Sequence, residues 1–142
     1  MSLSGFVAIV NTSGAPVDRT LLEHLTNSLR CRGPDQQKVW ADGPVGLGHT
    51  LFRTTREARY ENQPASLDGM VWITGCIRVD GRQALIAELG LEKRLSLDTT
   101  PDSELVLHAY RTWGERCLDH LLGDFAFALW DGHKRQLFCA RD

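Results

Sequence analysis

The sequence predicts an α+β fold built in layers, and three observations carry that prediction. Short apolar runs ended by Gly, Pro, Asn or Asp occur near both ends of the chain and in its middle, as strands do. Other stretches repeat Leu at helical spacing. Strands fall into groups with helices between the groups, which places them in stacked layers around a core.

The elements follow in order. Gly5 to Val10 is a continuous apolar run closed by Asn11-Thr12-Ser13-Gly14, a buried strand and its turn. Asp18 suits a helix start, and Leu21, Leu22, Leu25 and Leu29 mark an amphipathic helix. Cys31-Arg32-Gly33-Pro34-Asp35 ends it, because proline cannot continue a helix. Val39 to Ala41 and Val45 to His49 read as strands about the turn Asp42-Gly43-Pro44. Arg53 to Gly69 lacks periodicity and reads as a long loop, and long loops in small domains are often functional.

Met70 to Ile73 is the next strand, and Arg82 to Leu89 a short helix stopped at Gly90. Thr100-Pro101-Asp102 opens the clearest helix, with Thr100 as cap, Pro101 at the first position and Asp102 and Glu104 at the positive end of the dipole. It runs to Trp113 and Gly114. A short helix from Glu115 to Leu122 is closed by Gly123. Phe125 to Trp130 alternates bulky and small residues as a strand, Asp131-Gly132 turns the chain, and Gln136 to Ala140 returns.

The 16 basic and 18 acidic side chains leave a net charge of −2, which gives no electrostatic footprint for nucleic acid and no polybasic membrane patch. No apolar run reaches the roughly 20 residues of a membrane span. Cys31, Cys76, Cys117 and Cys139 form no C-x-x-C pair, so a metal site is not expected. They read as buried thiols of a reduced, cytoplasmic protein. Met1-Ser2-Leu3 read as vector or leader residues ahead of a domain spanning 4–142.

Five ordered segments resemble the glutamine amidotransferase domain of the asparagine synthetases. They are Ser4-Gly5-Phe6, Arg32-Gly33-Pro34-Asp35, Gly46-Leu47-Gly48-His49, Asp102-Ser103-Glu104 with the helix to Gly114, and Leu122-Gly123-Asp124-Phe125-Ala126-Phe127-Ala128-Leu129-Trp130-Asp131 with Ala140-Arg141-Asp142. The last is the most specific. The resemblance implies a four-layered αββα N-terminal-nucleophile hydrolase sandwich of two antiparallel sheets flanked by helices, here truncated at its C-terminal end. It also implies a synthetase domain, absent from this chain, that uses ATP and Mg to activate a carboxylate. The implied partners are that domain, glutamine in an active enzyme, and a homodimer as one option.

In that family a terminal Cys thiol attacks the glutamine amide, and its own α-amine acts as the base. An Asn side chain and a Gly N–H hold the oxyanion, and losing one such donor costs ~100-fold or more. An Arg, a Glu and an Asp clamp the substrate. Here Ser4 takes the nucleophile position, and with residues 1–3 in place its nitrogen is an amide rather than a base. Gly75 keeps the oxyanion N–H. Thr74 replaces the Asn, Cys76 the Glu and Leu51 the Arg, with Arg53 the nearest candidate substitute. Thr74 and Asp102 are the candidate substrate-binding residues. His49, Arg32 and Asp35 read as structural, the last two as a local pair or cap.

The expectation is therefore an amidotransferase-like domain of an ATP-dependent amide-forming ligase, impaired in glutamine hydrolysis and kept as a structural or docking module. Its parent would be asparagine synthetase itself, a β-lactam synthetase or a lasso-peptide cyclase. The alternatives are a Ser4-dependent glutaminase supplying ammonia and a stand-alone interaction domain.

Overall fold

Glycines at alternate positions of the Gly46-Leu47-Gly48-His49 segment decide how the first helix meets the first sheet. The computed structural model describes residues 4–142, so the reading of Met1-Ser2-Leu3 lies outside the described residues. Strands β1 (Gly5–Val10), β2 (Gln36–Asp42) and β3 (Val45–Leu51) form an antiparallel sheet in the order β1-β3-β2. Helix α1 (Arg19–Ser28) lies on β3. A Cβ at Gly48 would stand 2.0 Å from Thr26 Oγ1, and one at Gly46 would stand 2.8 Å from a Leu22 methyl. Only glycine permits that approach. The opposite face of β3 is left to Leu47 and His49, both buried.

The second sheet runs β4 (Ala65–Ser66), β5 (Val71–Asp80), β6 (Leu122–Asp131) and β7 (Gln136–Arg141), all antiparallel. Helices α2 (Arg82–Glu88) and α3 (Asp102–Trp113) cover its outer face. Alternation along the strands sends Ile73, Val79, Phe125, Phe127 and Leu129 into the core beneath them, against Leu85, Ile86, Leu105 and Val106. Each such side chain contributes about 1.5–3 kcal/mol of burial. The inner faces of the two sheets meet through polar ties: Thr74 donates to the Gly48 carbonyl at 3.0 Å, and the His49 ring bonds the Gly75 carbonyl at 3.0 Å. Trp40 and Trp72 stack across the same gap at 4.5 Å. The order of layers is helix, sheet, sheet, helix, as the resemblance implies.

Several boundaries differ from the sequence reading, each for a physical reason. β5 continues past Ile73 to Asp80 because ten residues pair with β6, and that ladder carries the chain through Gly75 and Arg78. Gly123 does not stop a helix. It lies inside β6 at φ 143°, where a Cβ would stand 2.0 Å from the Arg78 carbonyl. The expected helix from Glu115 to Leu122 is a 3-10 segment, Gly114–Asp119. Asp18 caps α1 through Leu21 N as expected, yet Leu21 is exposed, because only Leu22 and Thr26 of α1 are fully covered. Thr100 does not cap α3. Pro101 takes the cap position without a side-chain bond, and Glu61, far away in sequence, accepts from Ser103 N instead. The thiols are not all buried: Cys31 and Cys139 are exposed.

Candidate functional site

The long loop, the start of β1, the end of β3, the middle of β5 and the start of α3 surround one cavity of about 260 Å³. Its lining includes Ser4, His49, Glu61, Gln63, Gly75, Arg78 and Asp102. Three of the four predicted site residues, Ser4, Gly75 and Asp102, thus come together although they span almost the whole chain. The fourth does not line it. Thr74 is fully buried between the sheets with its hydroxyl committed to Gly48. Strand alternation turns its side chain away from the cavity that reaches Gly75.

Ser4 is 3% exposed. Its Oγ accepts from Phe52 N at 3.0 Å, and its carbonyl accepts from the Cys76 thiol. Among the described residues no base takes its hydroxyl proton. Burial pushes the Cys76 thiol up, against an opposing pull from Arg32, so Cys76 stays a neutral donor rather than a thiolate nucleophile. His49 is neutral: burial lowers it to about 4, and its bond to the Gly75 carbonyl requires the proton on Nε2. That proton holds β3 to β5, which fits the structural reading of His49.

Asp102 is the first residue of α3 and lines the cavity, but its carboxylate is taken by Arg82 of α2. The side chains of Arg82 and Asp102 are only 12% and 10% exposed. Burial raises the Asp102 carboxyl to about 6, with Arg82 pulling it down and Glu61 pushing it up. Glu61 stands beside it, raised by its own burial, and binds both the N–H and the hydroxyl of Ser103. Two carboxylates with one fully engaged guanidinium leave this end of the cavity acidic. Arg78 at the mouth is paired outward with Asp80 and Asp124.

Arg53 does not replace the missing clamp residue. It faces β2, bonding the Asp35 carbonyl at 3.5 Å and Gln36 Oε1 at 3.3 Å. Asp35 accepts from Arg53 N at 2.7 Å and so pins the loop, rather than pairing with Arg32 as expected. Glu61, Gln63 and Arg82 were not anticipated as site residues. The only signal was the length and polarity of the loop that carries the first two.

The constellation of a strand-start Ser4, a mid-strand Gly75 and a helix-start Asp102 around one cavity is the arrangement the motifs imply. A sequence model of the glutamine amidotransferase domain matches residues 3–142. The chain belongs to that family. It is a class II glutamine amidotransferase domain of the asparagine synthetase type. It is 33% identical over 129 residues to a glutamine-hydrolysing asparagine synthetase of Bacillus subtilis, covering 88% of this chain and 20% of that protein. A putative glutamine-hydrolysing asparagine synthetase of Mycobacterium tuberculosis is 32% identical over 130 residues, covering 80% of this domain and 19% of the relative. The amidase chry2 of Gibberella zeae is 30% identical over 149 residues, covering 99% and 22%. The amidotransferase domain described here therefore spans about one fifth of these relatives.

Proposed function

We propose that this amidotransferase domain belongs to an ATP-dependent amide-forming ligase and no longer hydrolyses glutamine, serving instead to dock and support the synthetase domain. The observation that carries the proposal is that the groups needed for hydrolysis are bonded inward. The Ser4 hydroxyl oxygen takes the Phe52 N–H, the Thr74 hydroxyl serves Gly48, and the Asp102 carboxylate is held by Arg82. Where the family has a Glu for the substrate ammonium, a neutral thiol serves the Ser4 carbonyl. A site built for a charged ligand binds poorly once its partners are gone. On this reading ATP and Mg act in the synthetase domain, the protein works in the cytoplasm, and the amine joined to the activated carboxylate does not come from glutamine. A parent of the β-lactam synthetase or lasso-peptide cyclase kind fits that chemistry.

The test is glutamate release from glutamine by the full chain, supplied with ATP and Mg. Release at the level of the Ser4→Ala variant is the expected result. Release that Ser4→Ala abolishes would overturn the proposal.

One observation favours a second reading: Ser4 does line the cavity beside Gly75 and Asp102. A glutaminase would need the Ser4 amine free. Mass spectrometry of the natively expressed N-terminus decides this, since residues retained ahead of Ser4 exclude it.

A further inference from the structure

Helix α3 stops at Gly114, and a second cavity of about 360 Å³ opens beside its last turn. It shares no lining residue with the cavity of Ser4, Gly75 and Asp102. Asp102 begins α3 at the first cavity, and Arg111 lies in its last turn at the second. The wall of the second cavity is apolar. Leu107 and Tyr110 of α3, both buried, form it together with Leu67 and Val71 from either side of the β4–β5 turn. The remaining lining is charged: Arg111 on the helix, His133 and Lys134 on the β6–β7 turn, and the acids Asp68 and Asp131.

The acids of this cavity are already committed. Asp131 accepts from the Tyr110 hydroxyl and from the N–H groups of His133 and Lys134. Asp68 Oδ1 accepts from the N–H groups of Met70 and Val71, both at 2.9 Å, and its Oδ2 meets His133 Nε2 at 3.3 Å. The cations differ. Among the described residues neither Arg111 nor Lys134 forms an ion pair. The Lys134 ammonium instead stands over the Tyr110 ring, 5.7 Å from its centroid. Two cations without carboxylate partners thus flank an apolar hollow. A ligand carboxylate supplies what they lack, because a guanidinium takes it in a planar fork and an ammonium adds a further charge-assisted bond. The fixed acids set the ligand's charge. Asp68 and Asp131 balance Arg111 and Lys134, so a polyphosphate would be repelled where a single carboxylate is not. The volume sets its size, since about 360 Å³ is near the small end of ligand cavities, roughly 300–1,000 Å³.

We propose that this cavity is a second ligand site, one that takes a compact apolar monocarboxylate, with the carboxylate between Arg111 and Lys134 and the apolar body on Leu107 and Tyr110. The site is independent of glutamine chemistry and stands whether or not glutamine is hydrolysed.

Benzoate is the probe, with benzamide and benzylamine as neutral and cationic counterparts of similar shape. Saturation-transfer NMR on the full chain at neutral pH gives a benzoate dissociation constant of about 1 mM or below. Benzamide and benzylamine bind at least about tenfold more weakly. The double variant Arg111→Gln, Lys134→Gln changes only exposed side chains, so it keeps its thermal midpoint and loses benzoate affinity at least about tenfold. Equal binding of benzoate and benzamide overturns the proposal. So does a folded double variant that binds benzoate as the unaltered protein does, or the absence of benzoate saturation by about 10 mM. A second measurement uses unaltered protein with 13C-labelled histidine rings. Benzoate moves the His133 signal and leaves that of His49, in the first cavity, in place. A shift at His49, or none at His133, overturns it.

Discussion

The two ends of helix α3 each bury a carboxylate, and they do so by opposite means. At the C-terminal end Asp131, 3% exposed, accepts from the Tyr110 hydroxyl at 2.8 Å and from the N–H groups of His133 and Lys134 at 2.9 and 3.1 Å. All its partners are neutral, and two belong to its own turn. At the N-terminal end Asp102 relies on a charge, Arg82 from another helix, with a second acid, Glu61, alongside. In the first arrangement two of the three donors are local, in the turn of the most specific family motif, and the third comes from α3. The second is assembled from three distant segments and sits where the family's chemistry belongs. The difference teaches that one end of the helix settles its carboxylate with neutral donors, whereas the cavity end settles its own with a charge partner from another helix.

The largest expected effect breaks the charged end. Arg82→Ala strands a buried Asp102 and should cost about 3–5 kcal/mol of stability near neutral pH. The loss should shrink on acidification, because an unpaired Asp102 escapes by taking up a proton. Urea denaturation at two pH values measures both. A loss below about 1 kcal/mol would show that the pair is not a structural prop. The neutral end comes next. Asp131→Ala leaves the Tyr110 hydroxyl and two turn amides without their acceptor, and should cost about 2–4 kcal/mol. Because no ionised partner is involved, that loss should be the same with and without added salt, unlike the loss from Arg82→Ala.

The contrast between the ends also explains what was legible in the sequence. The β6–β7 hairpin was readable because alternation is a local signal: Phe125, Phe127 and Leu129 enter the core under α3, with Ala126 and Ala128 between them. The start of α1 was readable because Asp18 caps three residues away. The start of α3 was readable from Pro101 and Asp102, but its cap was not, because the acceptor, Glu61, is 42 residues from Ser103. Ser4, Gly75 and Asp102 could be named as site residues through the family resemblance, and they do share a cavity. Thr74 was named because it stands where the family has its oxyanion Asn, yet its hydroxyl is turned to Gly48 between the sheets. The engagement of Asp102 by Arg82, and of Gly75 by Gln63, is a matter of side-chain reach across segments that no spacing rule encodes.

The smallest effect is a pair of opposed pH slopes. Burial raises Asp102 to about 6 from 3.8, so its contribution to stability is full below 3.8 and is lost as pH rises through 6. Glu61, also raised by burial, acts in the same sense. Burial lowers His49 to about 4 from 6.5, so its contribution is full above 6.5 and is lost as pH falls through 4. In the unaltered protein these slopes offset one another. His49→Gln should make the domain gain about 1–2 kcal/mol between about pH 6.5 and pH 4.5, and Asp102→Asn should make it lose a similar amount. Denaturant midpoints that move the same way in both variants would remove the opposition.

The central proposal is that this domain does not take up glutamine, because Ser4 and Asp102 are bonded to groups of the chain itself. Isothermal titration of the full chain with glutamine tests it most directly. The account predicts no saturable binding up to about 10 mM, and saturable binding with a Kd at or below about 1 mM would contradict it.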